Sequence, residues 1–224
     1  MTDQVGAEPF LPNGTSLTAL RDAAADCQGC DLFRNATQTV FGDGPESARL
    51  VLIGEQPGDQ EDRVGKPFVG PAGHLLDRAL AEAGLDEVPR YLTNAVKHFR
   101  FTIAERGKRR IHQAPNRGQL RSCLPWLRAE LHAVRPELLV CLGATAAHAV
   151  LGQDFRLTEH RGELLAAPET IAGAWQVMTT VHPSSVLRAS DRDKAYQEFV
   201  RDLRLAADYL SQTLKERNDY DNRP

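Results

Sequence analysis

Four short apolar runs that alternate with helical patterns constrain the fold more than any other feature of this sequence. Each run is four to six residues long and mostly aliphatic, which is typical of strands buried on both faces. The runs are Leu50–Ile53, Tyr91–Val96, Leu138–Leu142 and Val177–Val181. Because helical patterns separate them, we predict a mainly parallel four-stranded sheet with helices on both faces, which is a three-layer α/β/α fold.

The remaining periodic segments have the apolar spacing of amphipathic helices. They are Ser16–Ala25, Gly73–Ala83, Gln119–Val134, Ala144–Leu151 and Lys194–Leu214. No internal repeat or linker interrupts this order, so residues 1–224 are predicted to form a single domain. The polar ends, about residues 1–12 and 215–224, are expected to be flexible.

The composition excludes several classes of protein. Hydrophobic residues make up 42% of the chain and charged residues 25%, which is ordinary for a globular protein and excludes disordered and fibrous classes. The first residues lack the basic start and apolar centre of a secretory signal, and no apolar run is long enough to cross a bilayer. We therefore expect a soluble, cytoplasmic protein without a membrane partner.

The distribution of charge is more informative than the formal net charge of −3. Eight Lys and Arg residues lie between Lys97 and Arg121, where the only acidic residue is Glu105. A local basic stripe on a mildly acidic protein allows oriented binding of phosphates. A charge run by itself is more often a solvated loop, so this stripe indicates DNA binding only in combination with other features.

Polar turns follow all four predicted strands. Glu55 and Gln56 come after the first strand, Asn94 lies near the end of the second, residues 143–145 follow the third and His182 follows the fourth. The carboxyl ends of parallel strands meet at one edge of a sheet, where α/β proteins bind their ligands. We therefore predict that a carboxylate, an amide and an imidazole face one crevice, which is the active site.

The four cysteines suggest a metal site. Cys27 and Cys30 have C-x2-C spacing, and Cys123 and Cys141 form a second pair. In a cytoplasmic protein this pattern indicates metal ligands rather than disulfides. Four thiolates suit structural zinc or a [4Fe–4S] cluster, and the alternative is that Cys123 and Cys141 are small buried hydrophobic residues. A metal here would fasten the N-terminal helix to the core, away from the crevice.

Four separated motifs and the four cysteines, in their order along the chain, resemble the family-four uracil-DNA glycosylases. The motifs begin at Gly54 (GEQPG), Gly65 (GKPFVG), Thr93 (TNAVK) and His182 (HPSS). The resemblance runs from about Cys27 to the end of the last predicted helix. It implies the uracil-DNA glycosylase fold, a [4Fe–4S] cluster on the four cysteines, and a monomer that acts on uracil in single- or double-stranded DNA of the bacterial nucleoid.

Two departures from that family resemble the UdgX subgroup. Gln56 stands where ordinary family-four enzymes usually carry a small residue, and Gly107–His112 (GKRRIH) is an insertion. Members of the subgroup form a permanent bond between the histidine of this loop and the abasic deoxyribose. The resemblance therefore implies an enzyme that excises uracil and becomes covalently linked to the sugar through His112.

The family motifs imply which residues bind the base. Phe68 would stack on the flipped uracil, and Gly54 would lie close to it. Asn94 carries a donor and an acceptor that match N3–H and O4 of uracil and reject cytosine. His182 would donate a hydrogen bond to O2 as negative charge develops there.

The same motifs imply the residues that act on the sugar. Glu55 would stabilise the cationic deoxyribose, and Gln56 would hold a water molecule or Glu55 itself. A neutral His112 imidazole beside C1′ would compete with water for this cation, and the imidazole would be strongly favoured because it is held close to C1′. Once bonded, it would occupy the face from which water attacks.

Contacts with the DNA backbone are implied for two segments. One is the basic loop, whose Lys and Arg residues would anchor it through phosphates or internal carboxylates. The other follows the last strand, where a side chain would fill the vacated stack. The residues are Lys108, Arg109, Arg110, Ser184, Ser185 and Arg188.

Two other functions remain open from the sequence. The first is a conventional family-four enzyme that turns over in base excision repair, in which case the basic loop clamps DNA and His112 is incidental. The second is a non-catalytic iron–sulfur protein that binds DNA. A nucleotide-binding module is disfavoured because the chain has no Walker or Rossmann phosphate loop.

Overall fold

Five strands form the central sheet of the computed structural model, which describes residues 5–105, 107–169 and 176–221. The strands of the protein are β1 Leu50–Gly54, β2 Arg90–Asn94, β3 Phe101–Ile103, β4 Arg110–His112, β5 Leu138–Leu142, β6 Leu164–Ala166 and β7 Gln176–Thr180. The sheet order is β2-β1-β5-β7-β6, and β3 and β4 form a separate two-stranded ribbon. Neighbours β2, β1, β5 and β7 are parallel, which confirms the predicted α/β fold.

The fifth strand, β6, corrects the prediction of a four-stranded sheet. It pairs antiparallel with β7 at the edge of the sheet. It has only three residues, and both Leu164 and Ala166 are exposed. An exposed strand of this length leaves no apolar run in the sequence, because neither of its faces is covered by the core.

The described residues form seven α-helices, and all except the second pack on the two faces of the sheet. They are α1 Leu17–Ala24, α2 Asp59–Val64, α3 Pro71–Glu82, α4 Arg117–Val134, α5 Ala144–Leu151, α6 Pro183–Arg188 and α7 Arg192–Asp221. Successive strand residues point to opposite faces, so Ile53 and Cys141 pack with α1, α4 and α5, whereas Leu52 and Val140 pack with α3, α6 and α7. The three predicted layers are therefore present.

Local chemistry explains where the main helices begin. Asn116 and Gln119 form a reciprocal capping box, so α4 starts at Arg117, two residues before the apolar pattern. Gly70 and Pro71 start α3. The ends expected to be flexible lie partly outside the described residues; within them, Glu8–Phe10 form a 3-10 helix and α7 continues to Asp221.

The basic loop after β2 is a short hairpin. Strands β3 and β4 pair antiparallel, with Phe101 opposite His112 and Ile103 opposite Arg110. Residues on opposite sides of such a pair share a face of the ribbon. The hairpin therefore carries His112 at the end of β4, next to the start of α4. Across the described ranges, no helix is long and apolar enough to cross a membrane.

An ion pair between Arg49 and Glu137, which directly precede β1 and β5, contributes to stability in a pH-dependent way. The Arg49 guanidinium donates to both oxygens of Glu137 at 2.8 Å and to the Leu210 carbonyl of α7 at 2.7 Å. Burial opposes ionisation of Glu137, but hydrogen bonds from Arg49, Thr213 and Arg217 outweigh it and hold its pKa at about 2 instead of 4.5. This stabilisation is present above pH 4.5 and is lost as the pH falls toward 2.

We expect Arg49→Met to lower the free energy of unfolding at pH 7 by about 1–2 kcal/mol, because a charged hydrogen-bonded group loses its partner. The difference from the unsubstituted protein should shrink as the pH falls from 4.5 toward 2. Urea unfolding at several pH values measures both effects. Arg156→Met, which breaks an exposed pair with Glu159, is the matched control and should change little. A pH-independent loss in Arg49→Met would contradict this account.

Candidate active site

A crevice of about 740 Å³ opens at the carboxyl ends of the parallel strands. Residues after β1, β2, β5 and β7 line it together with the β3–β4 hairpin, as predicted. The predicted site residues in its wall are Glu55, Gln56, Phe68, Asn94, Arg109, Arg110, His112, His182, Ser184 and Arg188. Gly54 lies directly behind this wall, and Lys108 and Ser185 lie outside it.

Gly54 allows two of these side chains to meet. A Cβ atom added to Gly54 would lie 2.3 Å from Asn94 Oδ1 and 2.8 Å from Phe68 Cζ. Real side chains do not approach so closely, so any other residue at the end of β1 would push the amide and the ring apart. Gly54 therefore contributes space to the site.

Phe68 is held in a strained backbone conformation. Its φ of 56° lies in the left-handed region, which is uncommon for residues other than glycine. The start of α3 packs directly against it, because a Cβ on Gly73 would lie 1.7 Å from the Phe68 carbonyl oxygen. The Phe68 ring lies nearly parallel to that of His182, with centroids 6.4 Å apart. Strain of this kind is typical of functional sites.

Asn94 places a polar side chain in the crevice without a protein partner. The residue is only 3% exposed, and within the described ranges its amide makes no hydrogen bond with the protein, so its polar atoms face the open crevice. A ligand that offers an acceptor and a donor side by side would supply both missing bonds.

The protonation of His182 follows from its position at the start of α6. Its Nδ1 accepts a hydrogen bond from the backbone N–H of Ser184 at 3.1 Å, so Nδ1 carries no proton. Burial, followed by the neighbouring His112 and Arg188, lowers the pKa of His182 to about 4. The ring is therefore neutral at pH 7 and carries its proton on Nε2. Its Nε2–H is therefore available to donate a hydrogen bond into the crevice.

Glu55 joins the sheet edge to the hairpin. One carboxylate oxygen accepts a hydrogen bond from the Thr145 hydroxyl in the first turn of α5. The other lies 3.4 Å from Nε2 of His112. The predicted carboxylate and the predicted nucleophile are thus brought together, with the negative charge fixed in the wall of the crevice.

His112 is neutral at pH 7. Its side chain is 49% exposed and lines the crevice. Burial lowers the pKa of His112 below its ordinary value of 6.5; Glu55 opposes this change, and Arg188 adds to it. A neutral imidazole keeps a nitrogen lone pair available for bonding.

The hydrogen bonds of Gln56 differ from those that the sequence suggested. Its Nε2 donates to the backbone carbonyls of Arg100 and Gln113 at 3.1 and 3.0 Å, and its Oε1 accepts from the Arg100 N–H at 3.1 Å. These atoms lie just outside the two strands of the hairpin. Because both amide protons are used, Gln56 fastens the base of the hairpin, and it is not free to donate to a water molecule or to Glu55.

Of the two kinds of contact predicted for Arg110, with phosphate or with an internal carboxylate, the structure shows the second. Its guanidinium forms ion pairs with Asp59 and Asp62 of α2, at 2.5 Å for Asp62. It also lies over the rings of Phe99 and Phe101, 5.4 and 5.0 Å from their centroids. The side chain is 11% exposed. Two carboxylates already neutralise this cation, so it anchors the hairpin to α2 instead of facing DNA.

Three other cations remain available at the rim. Lys108, Arg109 and Arg188 are exposed and, in the part of the chain that the structure describes, make no ion pair. The two predicted serines have internal partners, because Ser184 contacts Nδ1 of His182 and the Ser185 hydroxyl donates to the His182 carbonyl at 2.7 Å. Free cations beside a crevice suit the phosphates of a nucleic acid.

All four cysteines are buried in the hydrophobic layer between the sheet and α1, α4 and α5. Burial raises the pKa of Cys30 to about 11 and that of Cys123 to about 12, and both thiols are affected by Cys27. For Cys141 burial alone raises the pKa, with no influence from the other three.

The fit of these thiols to a metal group is partial. Cys27, Cys30 and Cys123 are near enough to interact electrostatically, whereas Cys141 takes no part in this group. Among the described residues, no three His, Cys, Asp or Glu side chains are arranged closely enough to hold a metal ion. The described residues therefore provide four buried thiols on one face of the sheet, without the close grouping that a bound metal requires.

Sequence reasoning missed the residues that orient the site. Thr145 was recognised only as part of a turn, and Asp59 and Asp62 only as acidic residues. Their spacing of three places both carboxylates on one side of α2. Two such carboxylates near an Arg-rich insertion are the signal that would have identified the anchor of Arg110.

Comparison with known proteins identifies the family. The profile of the Uracil DNA glycosylase superfamily matches residues 41–204. A type-4 uracil-DNA glycosylase of Thermotoga maritima is 35% identical over 163 residues, which are 72% of this chain and 78% of that protein. Another of Pyrobaculum aerophilum is 30% identical over 190 residues, which are 84% of this chain and 91% of that protein. The chain therefore belongs to the uracil DNA glycosylase superfamily.

Proposed function

We propose that the protein excises uracil from DNA and remains covalently linked to the abasic deoxyribose through His112. The observation that carries this proposal is the position of the neutral His112 imidazole, whose Nε2 lies 3.4 Å from the Glu55 carboxylate inside the crevice. The carboxylate marks where a cationic sugar would be stabilised. A nucleophile beside it is placed to react with C1′.

Recognition of uracil begins outside the helix stack. Taking a base out of the stack costs roughly a few kcal/mol, which contacts in the pocket must offset. Phe68 offers a ring face in the crevice wall. The unpartnered Asn94 amide would donate to O4 of uracil and accept from N3–H, whereas cytosine presents the opposite donor and acceptor.

Departure of the base needs stabilisation of negative charge. As the C1′–N1 bond breaks, its electron pair goes to the uracil ring, and charge develops on O2. The neutral His182 would donate from Nε2 to this oxygen, and a fixed donor of this kind typically contributes 10²–10³-fold in rate. The released uracil anion then takes a proton from solvent.

Capture of the sugar follows from the same geometry. Glu55 would stabilise the cationic deoxyribose while the lone pair of His112 Nε2 forms a bond to C1′. The resulting imidazolium returns its proton to solvent. A nucleophile held in place has an effective concentration far above that of water, provided that the group carrying it is rigid. Gln56 and Arg110 supply that rigidity by fixing the hairpin.

A conventional glycosylase that turns over is the second candidate. The names of the relatives favour it, since the similar proteins are type-4 uracil-DNA glycosylases. In this case Glu55, Asn94 and His182 would act in the same way, and water would attack C1′. The two candidates differ only after uracil has left, so the fate of the sugar distinguishes them.

We also propose the wider setting of this activity. The chain would act as one domain and as a monomer in the cytoplasm, on single- or double-stranded DNA. Lys108, Arg109 and Arg188 would contact the phosphates, because they are the exposed cations around the crevice. Ser184 and Ser185 would contribute by fixing the loop on which His182 stands.

A [4Fe–4S] cluster is the proposed cofactor. Cys27, Cys30 and Cys123 would bind it, with Cys141 as the fourth ligand suggested by the sequence. Such a cluster would fasten the segment after α1 to α4 and would thereby stabilise the fold. This proposal is supported by the burial of all four thiols in one layer of the core.

The trapping experiment compares His112→Gly with the unsubstituted protein on an oligonucleotide that contains one uracil. The unsubstituted protein should give one adduct per molecule that survives heat and denaturant. His112→Gly should give no adduct and should release uracil over several turnovers, because water gains access to C1′. A denaturing gel and a uracil-release assay measure the two products.

Three controls accompany this experiment. His160→Gly removes an exposed histidine away from the crevice and should leave the adduct unchanged. Glu55→Gln should slow both adduct formation and uracil release by about 10²–10³-fold, because it acts before the paths diverge. DNA without uracil should give no adduct. An undiminished adduct in His112→Gly would show that another side chain attacks the sugar.

The pH dependence provides an independent test of the nucleophile. Because the pKa of His112 is below 6.5, the imidazole should be mostly neutral between pH 8 and pH 7, and adduct formation should change little there. Below its pKa the imidazolium has no free lone pair, so the rate should fall about tenfold per pH unit. Single-turnover rates measure this profile. His112→Gly should release uracil without this fall, and a loss centred above pH 7 would contradict the assignment.

Metal content tests the cluster. Anaerobically purified protein should be brown and contain iron and sulfide, and Cys123→Ser should lose both and unfold at a lower temperature. Cys141→Ala is the informative comparison. Loss of iron in this variant would show that Cys141 is the fourth ligand of the cluster. Retention of iron would show that Cys141 is a buried core residue and not a ligand. Stoichiometric zinc without iron in anaerobic preparations would contradict the cluster itself.

A further inference from the structure

A buried lysine lies directly behind the uracil pocket. The side chain of Lys97 is 0% exposed, and its ammonium donates three hydrogen bonds. The acceptors are Glu130 Oε2 at 2.5 Å, Thr93 Oγ1 at 2.7 Å and the Asn94 backbone carbonyl at 2.7 Å. An ammonium group has three protons, so this one is fully satisfied.

The partner of this lysine is equally buried. The Glu130 carboxylate of α4 is also 0% exposed. Its oxygens accept further hydrogen bonds from the Gly42 N–H, the Tyr91 hydroxyl and the Thr93 hydroxyl, at 3.1, 3.0 and 2.9 Å. A buried ion pair is weak support for stability, because apolar side chains of the same size often stabilise a core equally well. Its position therefore needs another reason.

The reason lies in the bond to Asn94. The side-chain amide of Asn94 has no hydrogen-bond partner in the described structure, so its orientation depends on the packing around Gly54 and on its own backbone. The next two residues are fixed to the end of β1, because Ala95 N–H donates to the Gly54 carbonyl at 2.9 Å and Val96 N–H donates to that of Glu55 at 3.0 Å. Lys97 Nζ holds the remaining carbonyl of this turn, that of Asn94 itself.

The same lysine is fixed at its other end. Its backbone N–H donates to Sγ of Cys123 at 3.2 Å, and Cys123 and Glu130 are both on α4, seven residues apart. Seven residues are about two helical turns, so both groups lie on the same face of α4. Lys97 therefore ties the turn that carries Asn94 to two points of one rigid helix.

We propose that Lys97 is a positioning residue for uracil recognition, which sets the orientation of the Asn94 amide through its backbone carbonyl. This inference rests on the proposed function, in which Asn94 binds uracil. Lys97 does not touch the substrate, and its effect passes entirely through Asn94. Without the ammonium, the peptide after Asn94 is still held through the Ala95 N–H, but its carbonyl oxygen loses the bond to Lys97, so its tilt is less restricted.

The first test separates positioning from stability. Lys97→Met should slow single-turnover excision about 100-fold, the loss typical of a small misplacement of a binding group. This variant also leaves the Glu130 charge buried without its partner and should unfold at a lower temperature. The double variant Lys97→Met/Glu130→Gln removes that charge and keeps one acceptor oxygen, which can serve the Gly42 N–H, the Tyr91 hydroxyl and the Thr93 hydroxyl. It should regain thermal stability but not the excision rate.

The second test asks whether the effect passes through Asn94. Excision is measured for Lys97→Met/Glu130→Gln with and without Asn94→Ala, on DNA that contains 5-fluorouracil. This base has the same N3 and O4 edge and leaves more easily, so slow variants remain measurable. If Lys97 acts through Asn94, its substitution should have almost no further effect in the Asn94→Ala background.

The outcomes are distinct. Two results would overturn the role of Lys97. One is recovery of both the excision rate and the stability in Lys97→Met/Glu130→Gln. The other is the same 100-fold loss of rate from this double variant whether residue 94 is asparagine or alanine. Failure of the proposed function would appear in Asn94→Ala alone, as excision at the unsubstituted rate. Loss of rate in Lys97→Met/Glu130→Gln, with normal stability and no additional loss in the Asn94→Ala background, supports the inference.

Discussion

The site depends on the attachment of the β3–β4 hairpin to the rest of the fold. A two-stranded ribbon of three residues per strand is not stable by itself in water. Gln56 closes its base through three hydrogen bonds, and Arg110 joins it to Asp59 and Asp62. Asp62 is completely buried, so an unpaired carboxylate there would be strongly unfavourable. This pairing fixes the position of His112.

The attachment also explains why Gln56 and Arg110 bind backbone groups and carboxylates of the protein. Gln56 follows β1 directly, and Arg110 begins β4 on the side of the ribbon that faces α2. Residue type and position in a motif placed both correctly at the crevice. Their hydrogen-bond partners are backbone carbonyls and carboxylates from other segments, and a single sequence does not contain these long-range contacts.

Much of the fold was predictable because the strands are buried on both faces. Runs such as Leu138–Leu142 stand out in the sequence, and their carboxyl ends place Glu55, Asn94 and His182 at one edge. The exposed strand β6 and the hairpin have no such signal, because half-exposed three-residue strands have no apolar period. The cysteines show the same limit, since Cys27, Cys30 and Cys123 interact, whereas Cys141 has a place in the same layer but no interaction with them.

In the proposed mechanism, trapping and turnover would be two outcomes of one arrangement. Glu55, Asn94 and His182 would act before the sugar is captured, and nothing about them selects between water and imidazole. Selection would then depend on how firmly His112 is held beside the sugar. Neutral hydrogen bonds at the base of the hairpin and the ion pairs of Arg110 hold His112 at 3.4 Å from Glu55. Under this proposal, Gln56 and Arg110 would favour capture by fixing the hairpin that carries the nucleophile.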